Sequence, residues 1–313
     1  MNSELKGLIL IITAASLWGI SGTVAKFLFN GEAVSPLALV QIRLFLSAVL
    51  LGLYLLITHP DSLRIKWSDL CYFAILGVFG MAMVQFTYLY TVSQANVAVA
   101  VFLQYLSPAI VAVYAVVFRW EKLGWNRAMA LTLALGGSVL ILTGSGLGTV
   151  VISCRGLISG LASAFFAAFY TLYAQKGAKK FGAWTTLTYS LGFGAFFWLL
   201  VAPPSLDQFG EYTTGDLLFF LYIAIFATIV PFGLYFKGLT YLHATKAIIT
   251  STLEPVMAAI TAYLILGETM APQQMLGGVL IVCAVIILAT AQREAVSPLE
   301  QVAEPRKISG STT

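Results

Sequence analysis

The chain has 313 residues, of which 59% are hydrophobic and only 10% are charged. Soluble domains carry about 25% charged residues, so this composition, with a mean hydropathy of +0.91, excludes an ordinary water-soluble protein. The net charge of +4 is too small for binding driven by a basic surface, and no nucleic-acid partner is expected.

Apolar stretches follow one another along the chain, most of them long enough to cross about 30 Å of hydrocarbon at roughly 1.5 Å per residue. They predict an all-α polytopic membrane protein with ten transmembrane helices. The predicted helices span residues 5–29, 36–57, 69–91, 95–118, 124–143, 153–176, 183–201, 215–240, 244–266 and 272–291. The first stretch is too long for the core of a signal peptide, so it is kept as a helix. Residues 292–313 are polar and predict a disordered tail.

Ten spans place both termini on one side of the membrane. Lys and Arg concentrate in the loops on that side, whereas the loop before the eighth helix carries Asp207, Glu211 and Asp216 and no basic residue. Because cytoplasmic loops are enriched in Lys and Arg, both termini are predicted to be cytoplasmic. The expected location is a bacterial inner membrane. The lysines between residues 176 and 180 are interpreted as topology determinants rather than as a lipid site.

The two halves of the chain match at an offset of 147 residues, which pairs Tyr88 with Tyr235 and Pro108 with Pro255 without a gap. Five helices per half is an odd number, so the second half must enter the membrane from the opposite face. The sequence therefore predicts an inverted repeat. Its two units are residues 1–147 and 148–291.

Inverted repeats are typical of secondary transporters, in which the substrate site lies near the bilayer midplane and the two halves rock around it. A duplication without transport is the weaker alternative, because inverted repeats occur mostly where alternating access needs two related states. The repeat therefore favours a transport function.

Three prolines are predicted to break helices, namely Pro108, Pro231 and Pro255. Each proline leaves the carbonyl four residues earlier without its hydrogen bond within the helix. At membrane depth such a carbonyl must face protein, water or ligand. The matching positions of Pro108 and Pro255 in the two halves favour a cavity between them.

Two charges are predicted to lie within the spans. Glu254 is roughly 15 Å into its helix, where a carboxylate is costly. Three roles stay open for it: a neutral carboxyl bonded between helices, a coupling group that loads and releases a proton, and direct contact with a cationic or amine group. Arg43 is expected to snorkel or to form a structural pair with Glu254 rather than to contact a solute carboxylate.

Four segments carry a family resemblance: ASLWGISGTVAK, FLQYLSPAIVAVYAVVFRWE, SAFFAAFYTLYAQK and STLEPVMAAITAYLILGETMAPQQMLGGVLIV. They resemble the EamA-type ten-helix proteins of the drug/metabolite transporter superfamily, and the resemblance covers residues 5 to 291. It implies a secondary transporter, often an exporter of amino acids or related amphipathic metabolites, with a central cavity. Substrate, direction and coupling ion do not carry over.

The implied cavity collects polar and aromatic residues that suit an amphipathic pocket. When the family's cavity is transferred to this chain, the resemblance implies the following substrate-binding residues: Trp18, Gln85, Tyr88, Gln104, Tyr170, Tyr235, Ser251 and Glu254. Glu254 is also the candidate coupling residue, with protons as one possible driving ion.

Two other classes of protein were weighed. A membrane-embedded enzyme is disfavoured because the chain has no H-E-x-x-H or G-x-S-x-G motif. A channel or a non-transporting sensor is disfavoured because the polar groups concentrate at mid-depth instead of forming rings along a pore. The prediction is therefore no enzyme activity, no cofactor and no metal. The expected partners are a small solute and the lipid bilayer, and the chain is expected to be a monomer or a homodimer.

Overall fold

The computed structural model describes residues 2–28, 35–94, 97–118, 124–144, 153–203, 212–266 and 271–290. All regular structure within these ranges is helical. The predictions for Asp207, Glu211 and the polar tail fall outside the described residues.

The helices follow one another with short connections. In chain order they are α1 (Ser3–Leu28), α2 (Pro36–Thr58), α3 (Leu70–Ile75), α4 (Met83–Gln94), α5 (Val97–Gln104), α6 (Ser107–Val117), α7 (Trp125–Gly144), α8 (Cys154–Phe181), α9 (Ala183–Val201), α10 (Thr214–Ala224), α11 (Val230–Leu239), α12 (Ala244–Ser251), α13 (Glu254–Thr261) and α14 (Pro272–Thr290). Three π-helical stretches adjoin them: Leu76–Ala82 joins α3 to α4, Ile225–Ile229 joins α10 to α11, and Ala262–Leu266 follows α13.

One predicted boundary is wrong. The sixth predicted helix was expected to end near residue 176, where the chain turns polar, but α8 continues to Phe181. It ends there because Gly182, with a φ of 88°, leaves the helical conformation. Hydropathy follows the apolar part of a helix and misses a polar extension beyond it.

Seven helical stretches in the described ranges are long and apolar enough to cross a membrane. They are Ser3–Ser21, Pro36–Thr58, Trp67–Gln94, Cys154–Phe181, Ala183–Val201, Thr214–Leu239 and Ala244–Ile265, and two shorter apolar helices are Ser107–Val117 and Pro272–Leu288. Large apolar side chains point outward from them, such as Ile57 at 80% exposure and Leu264 at 72%. The chain is an integral membrane protein, because this apolar surface needs a lipid environment.

Side-chain caps fix where three helices begin. The Ser35 hydroxyl accepts a hydrogen bond from the Ala38 amide at 3.1 Å, and Ser153 caps α8 in the same way. Thr213 and Asp216 form a reciprocal capping box at the start of α10. These caps satisfy amide groups that a helix start leaves unpaired.

The start of α1 packs closely against the turn between α11 and α12. Gly7 packs so closely against Leu242 that a side chain at this position would collide with it. The Gln175 amide of α8 donates hydrogen bonds to the carbonyls of Leu242 at 2.5 Å and Leu239 at 3.3 Å. These contacts join α1, α8 and the turn between α11 and α12.

Candidate functional site

A cavity of about 150 Å³ lies inside the bundle. It is lined by Trp18, Arg43, Val84, Gln85, Tyr88, Gln104, Tyr105, Ser107, Pro108, Ala167, Tyr170, Thr171, Phe232, Tyr235, Ile248, Ser251 and Glu254. The structure thus brings all eight predicted binding residues to one cavity. A cavity of this size holds a group of about one aromatic ring.

Two helices are interrupted where they reach the cavity. α5 gives way to α6 across residues 105–106, just before Pro108. α12 gives way to α13 across residues 252–253, just before Pro255. Because a proline has no amide hydrogen, the carbonyls of Gln104 and Ser251 receive no bond from four residues ahead. The two interruptions lie at equivalent places in the two halves of the sequence.

Pro231 is accommodated differently. Here the helix continues from α10 through the π-helical stretch Ile225–Ile229 into α11, without an intervening turn. The Ala227 carbonyl, four residues before the proline, accepts a hydrogen bond from Arg43 Nη2 at 2.6 Å. Arg43 Nε donates to the Thr228 hydroxyl at 2.6 Å. Arg43 is thus hydrogen-bonded to the helix that carries Pro231, and it forms neither the predicted pair with Glu254 nor an outward, snorkelling contact.

Arg43 and Glu254 bring opposite charges to the cavity wall. The structure describes both residues, and no ion pair joins them. The Tyr105 hydroxyl lies beside the Glu254 carboxyl group but outside normal hydrogen-bond geometry. Both side chains therefore contribute polar groups to the cavity wall without being paired to each other.

Two buried polar side chains in the cavity wall have no hydrogen-bond partner among the residues that the structure describes. They are Gln85, whose amide nitrogen and oxygen are both unpaired, and Tyr105, whose hydroxyl is unpaired. Gln85 is 5% exposed and Tyr105 is 8% exposed. By contrast, the Gln104 amide donates to the Ser163 hydroxyl at 2.9 Å. Buried polar groups are rarely left unpaired, so these two groups suit a ligand.

An aromatic wall forms one side of the cavity. The Trp18 ring centroid lies 5.0 Å from that of Phe232, and Tyr170 stacks on Tyr235 at 5.6 Å. The Tyr235 hydroxyl is hydrogen-bonded to Thr171 at 3.1 Å, which fixes its ring. Apolar rings beside two charges and an amide give the cavity the amphipathic character expected of a solute site.

Several lining residues were not predicted from the sequence. Tyr105 and Phe232 each lie within three residues of a predicted helix-breaking proline, which is a signal that could have found them. Arg43 was recognised as a buried charge but was not placed in the cavity. Thr171 carries no signal in the sequence, because a lone threonine in an apolar helix usually bonds to its own backbone, as Thr171 also does to Ala167.

The fold and this cavity define a polytopic helical membrane protein with a solute-sized internal site. The chain belongs to the EamA-like transporter family, whose family model matches residues 5–143 and again residues 154–290. The family predicted from the sequence is therefore confirmed.

Similar proteins cover nearly the whole chain. The uncharacterized inner membrane transporter YicL of Salmonella typhimurium is 31% identical over 94% of this chain and 98% of its own length. The uncharacterized transporter YwfM of Bacillus subtilis is 28% identical over 91% of this chain and 94% of its own. The riboflavin transporter ImpX of Fusobacterium nucleatum is 25% identical over 91% of this chain and 98% of its own length.

A solved crystal structure has the same fold. It superposes with a TM-score of 0.74 over 93% of this chain and 99% of its own length, at 17% sequence identity. At this identity the similarity shows the fold alone.

Proposed function

We propose that the protein is a secondary transporter that exports small metabolites, such as amino acids or related amphipathic solutes, by alternating access around the central cavity. The observation that carries this proposal is a cavity lined from both halves of the chain, with Arg43 and Glu254 in its wall and not paired to each other. A charged pair kept apart inside a membrane protein is costly unless it serves a ligand or a coupling ion.

The mechanism rests on ten spans arranged as two inverted five-helix units, residues 1–147 and 148–291. Three observations support it. The family model matches the chain twice. The helix interruptions before Pro108 and Pro255 occupy equivalent positions. The last helices of the two units, α7 and α14, pack against each other at Gly137 and Gly277, where each glycine lies against the backbone of the other. Such units can exchange conformations and expose one site alternately to the two sides.

The solute chemistry follows from the groups in the cavity wall. The Arg43 guanidinium uses two of its N–H groups on Thr228 and Ala227 and has others to offer a carboxylate. Glu254 offers a carboxyl group to an amine, and the aromatic wall suits an apolar portion. The proposed substrate-binding residues are Trp18, Gln85, Tyr88, Gln104, Tyr170, Tyr235, Ser251 and Glu254.

Glu254 is the proposed coupling residue. It lies at the start of α13, directly before Pro255, where the interrupted helix meets the cavity. A carboxyl group there can take up a proton from one side and release it to the other as access changes. The proposal includes cytoplasmic termini and a location in a bacterial inner membrane. The name of YicL supports the location, and the Lys and Arg of the loops support the orientation.

Counterflow in proteoliposomes tests the function. Vesicles loaded with unlabelled amino acids are diluted into trace labelled amino acids, and a carrier that alternates between two sides gives transient accumulation of label. We expect accumulation in vesicles with the wild-type protein and none in protein-free vesicles. A channel gives equilibration without overshoot, and a sensor gives no flux, so either result would overturn the proposal in favour of another class.

A further inference from the structure

We propose that the cavity selects solutes that carry a planar amide, meaning an N–H beside a C=O, through the side chain of Gln85. The inference rests on the proposed transport function and defines one chemical feature of the solute. Two kinds of solute share this feature: a carboxamide and the lactam edge of a heteroaromatic ring.

The position of Gln85 on α4 suits this role. It lies on α4, one turn before Tyr88, and both residues line the cavity. Its side chain is 5% exposed, and neither Nε2 nor Oε1 has a partner among the described residues. Buried amides are almost always hydrogen-bonded, so an amide that has no protein partner and lines a cavity is placed to bond to the cavity's contents.

The other glutamines in the bundle show that this chain normally pairs their amides. Gln104 donates to Ser163 at 2.9 Å. Gln175 donates to the carbonyl of Leu242 at 2.5 Å, and Gln41 donates to the carbonyl of Ala202. Gln85 differs from them in that its whole amide stays unpaired at the cavity wall.

The chemistry of the amide determines the complementary group. A glutamine side chain offers a donor and an acceptor in one plane, so it is fully satisfied only by a group with an adjacent acceptor and donor. A carboxylate provides no donor and an ammonium provides no acceptor, so either one satisfies half of it. Arg43 and Glu254 already provide charged contacts, and Gln85 adds a neutral one.

The surroundings favour a planar solute. Trp18, Tyr170 and Tyr235 pack on one another and give the cavity wall an aromatic character. The cavity of about 150 Å³ matches a single ring. The unpaired hydroxyl of Tyr105 provides a further donor and acceptor in the same cavity.

Two matched pairs of probes test the inference on the full chain in nanodiscs, with the dissociation constant measured by calorimetry. Uracil is compared with 1,3-dimethyluracil, which lacks the lactam N–H, and nicotinamide is compared with nicotinate, which lacks the carboxamide N–H. We expect either uracil or nicotinamide to bind on the order of tenfold more tightly than its analogue, because the analogue leaves Gln85 unpaired. The measured quantity is the ratio of the two dissociation constants within each pair. The pair that shows the ratio identifies the lactam or the carboxamide as the source.

Variants assign the preference to Gln85. Gln85→Leu removes donor and acceptor, and Gln85→Glu keeps the shape but loses the donor, so both are expected to abolish the ratio. Each amide is also compared with its analogue on the wild-type protein. That comparison remains valid even if a variant fails to fold. Gln41→Leu is the matched control and is expected to keep the ratio, because Gln41 is bonded outside the cavity.

Binding of neither amide, an absent ratio in the wild type, or a ratio that persists in Gln85→Leu would overturn the inference. The transport function is judged separately by amino-acid counterflow. Counterflow without an amide preference overturns this inference alone. An amide preference without counterflow of any solute overturns the transport function and leaves the cavity as a binding site.

Discussion

The backbone carbonyl of Ala227 accepts a hydrogen bond of 2.6 Å from the guanidinium of Arg43. Pro231 removes the intrahelical partner of this carbonyl, and α2 of the first half of the chain supplies the replacement. The same side chain contacts the ring of Phe232, with 5.9 Å between the guanidinium carbon and the ring centroid. One buried cation therefore satisfies a helix defect, joins the two halves and contributes to the cavity wall.

Arg43→Gln is predicted to destabilise the protein by about 1–3 kcal/mol, because it leaves a buried carbonyl without its charged donor. Thermal unfolding in nanodiscs measures the change. Arg64→Gln is the control, since Arg64 forms an exposed pair with Asp61 and is expected to change stability by less than about 1 kcal/mol.

Pro231→Ala restores an amide that can bond to Ala227, so it is predicted to reduce the cost of Arg43→Gln. The double mutant should be less destabilised than the sum of the single changes by about 1 kcal/mol. Strictly additive costs in this double-mutant cycle would show that Arg43 does not serve the carbonyl that Pro231 exposes.

The sequence predicted the membrane class, the family and most helix boundaries, because hydropathy and helix length are properties of each segment alone. It also placed Glu254 and the two matched prolines near one depth. It did not place Arg43 in the cavity or find Phe232. The side of a membrane helix that faces lipid and the side that faces protein are both apolar, so composition alone does not distinguish them. Which face turns inward is decided by packing between helices that are distant in sequence, such as α2 against α10 and the π-helical stretch Ile225–Ile229.

Glu254→Gln is predicted to abolish solute accumulation driven by a pH gradient, because an amide cannot carry the proton that the carboxyl loads and releases. Folding should be retained, with a change in stability of about 1 kcal/mol, since the two side chains have the same shape. Labelled-solute uptake with and without an imposed gradient measures this, with Asp61→Asn at an exposed loop as the control. Normal gradient-driven transport by Glu254→Gln at every pH would remove the coupling role.

Tyr88→Ala and Tyr235→Ala are predicted to weaken the apparent affinity for solute by roughly tenfold or more each, because each removes a ring from the cavity wall. Tyr235→Phe keeps the ring and loses the hydroxyl that is hydrogen-bonded to Thr171, so a smaller effect of about fivefold is expected. Concentration-dependent counterflow gives the apparent affinities. Unchanged values for both alanine variants would contradict the proposed pocket.

Pro255→Ala is predicted to shift the protein toward one access state, because it returns an amide to the interrupted helix and strengthens the junction of α12 and α13. Thiol labelling at single cysteines placed at the two mouths reports the shift, after the exposed Cys71, Cys154 and Cys283 are replaced by serine. Pro272→Ala is the matched control, since Pro272 begins α14, where proline is compatible with a helix. Equal labelling patterns for Pro255→Ala and the wild type would show that the interruption does not control access.

The most direct test of the central claim, that this cavity binds the transported solute at Glu254, is a thermal-shift screen of the purified protein. Amino acids, amines, nucleosides and organic acids are tested on the wild type and on Glu254→Gln. A solute at a hundred times its dissociation constant stabilises the folded state by about 2.7 kcal/mol. We predict a class of solutes that stabilises the wild type and loses this effect in Glu254→Gln. An equal stabilisation of both proteins by the same solutes would contradict the claim.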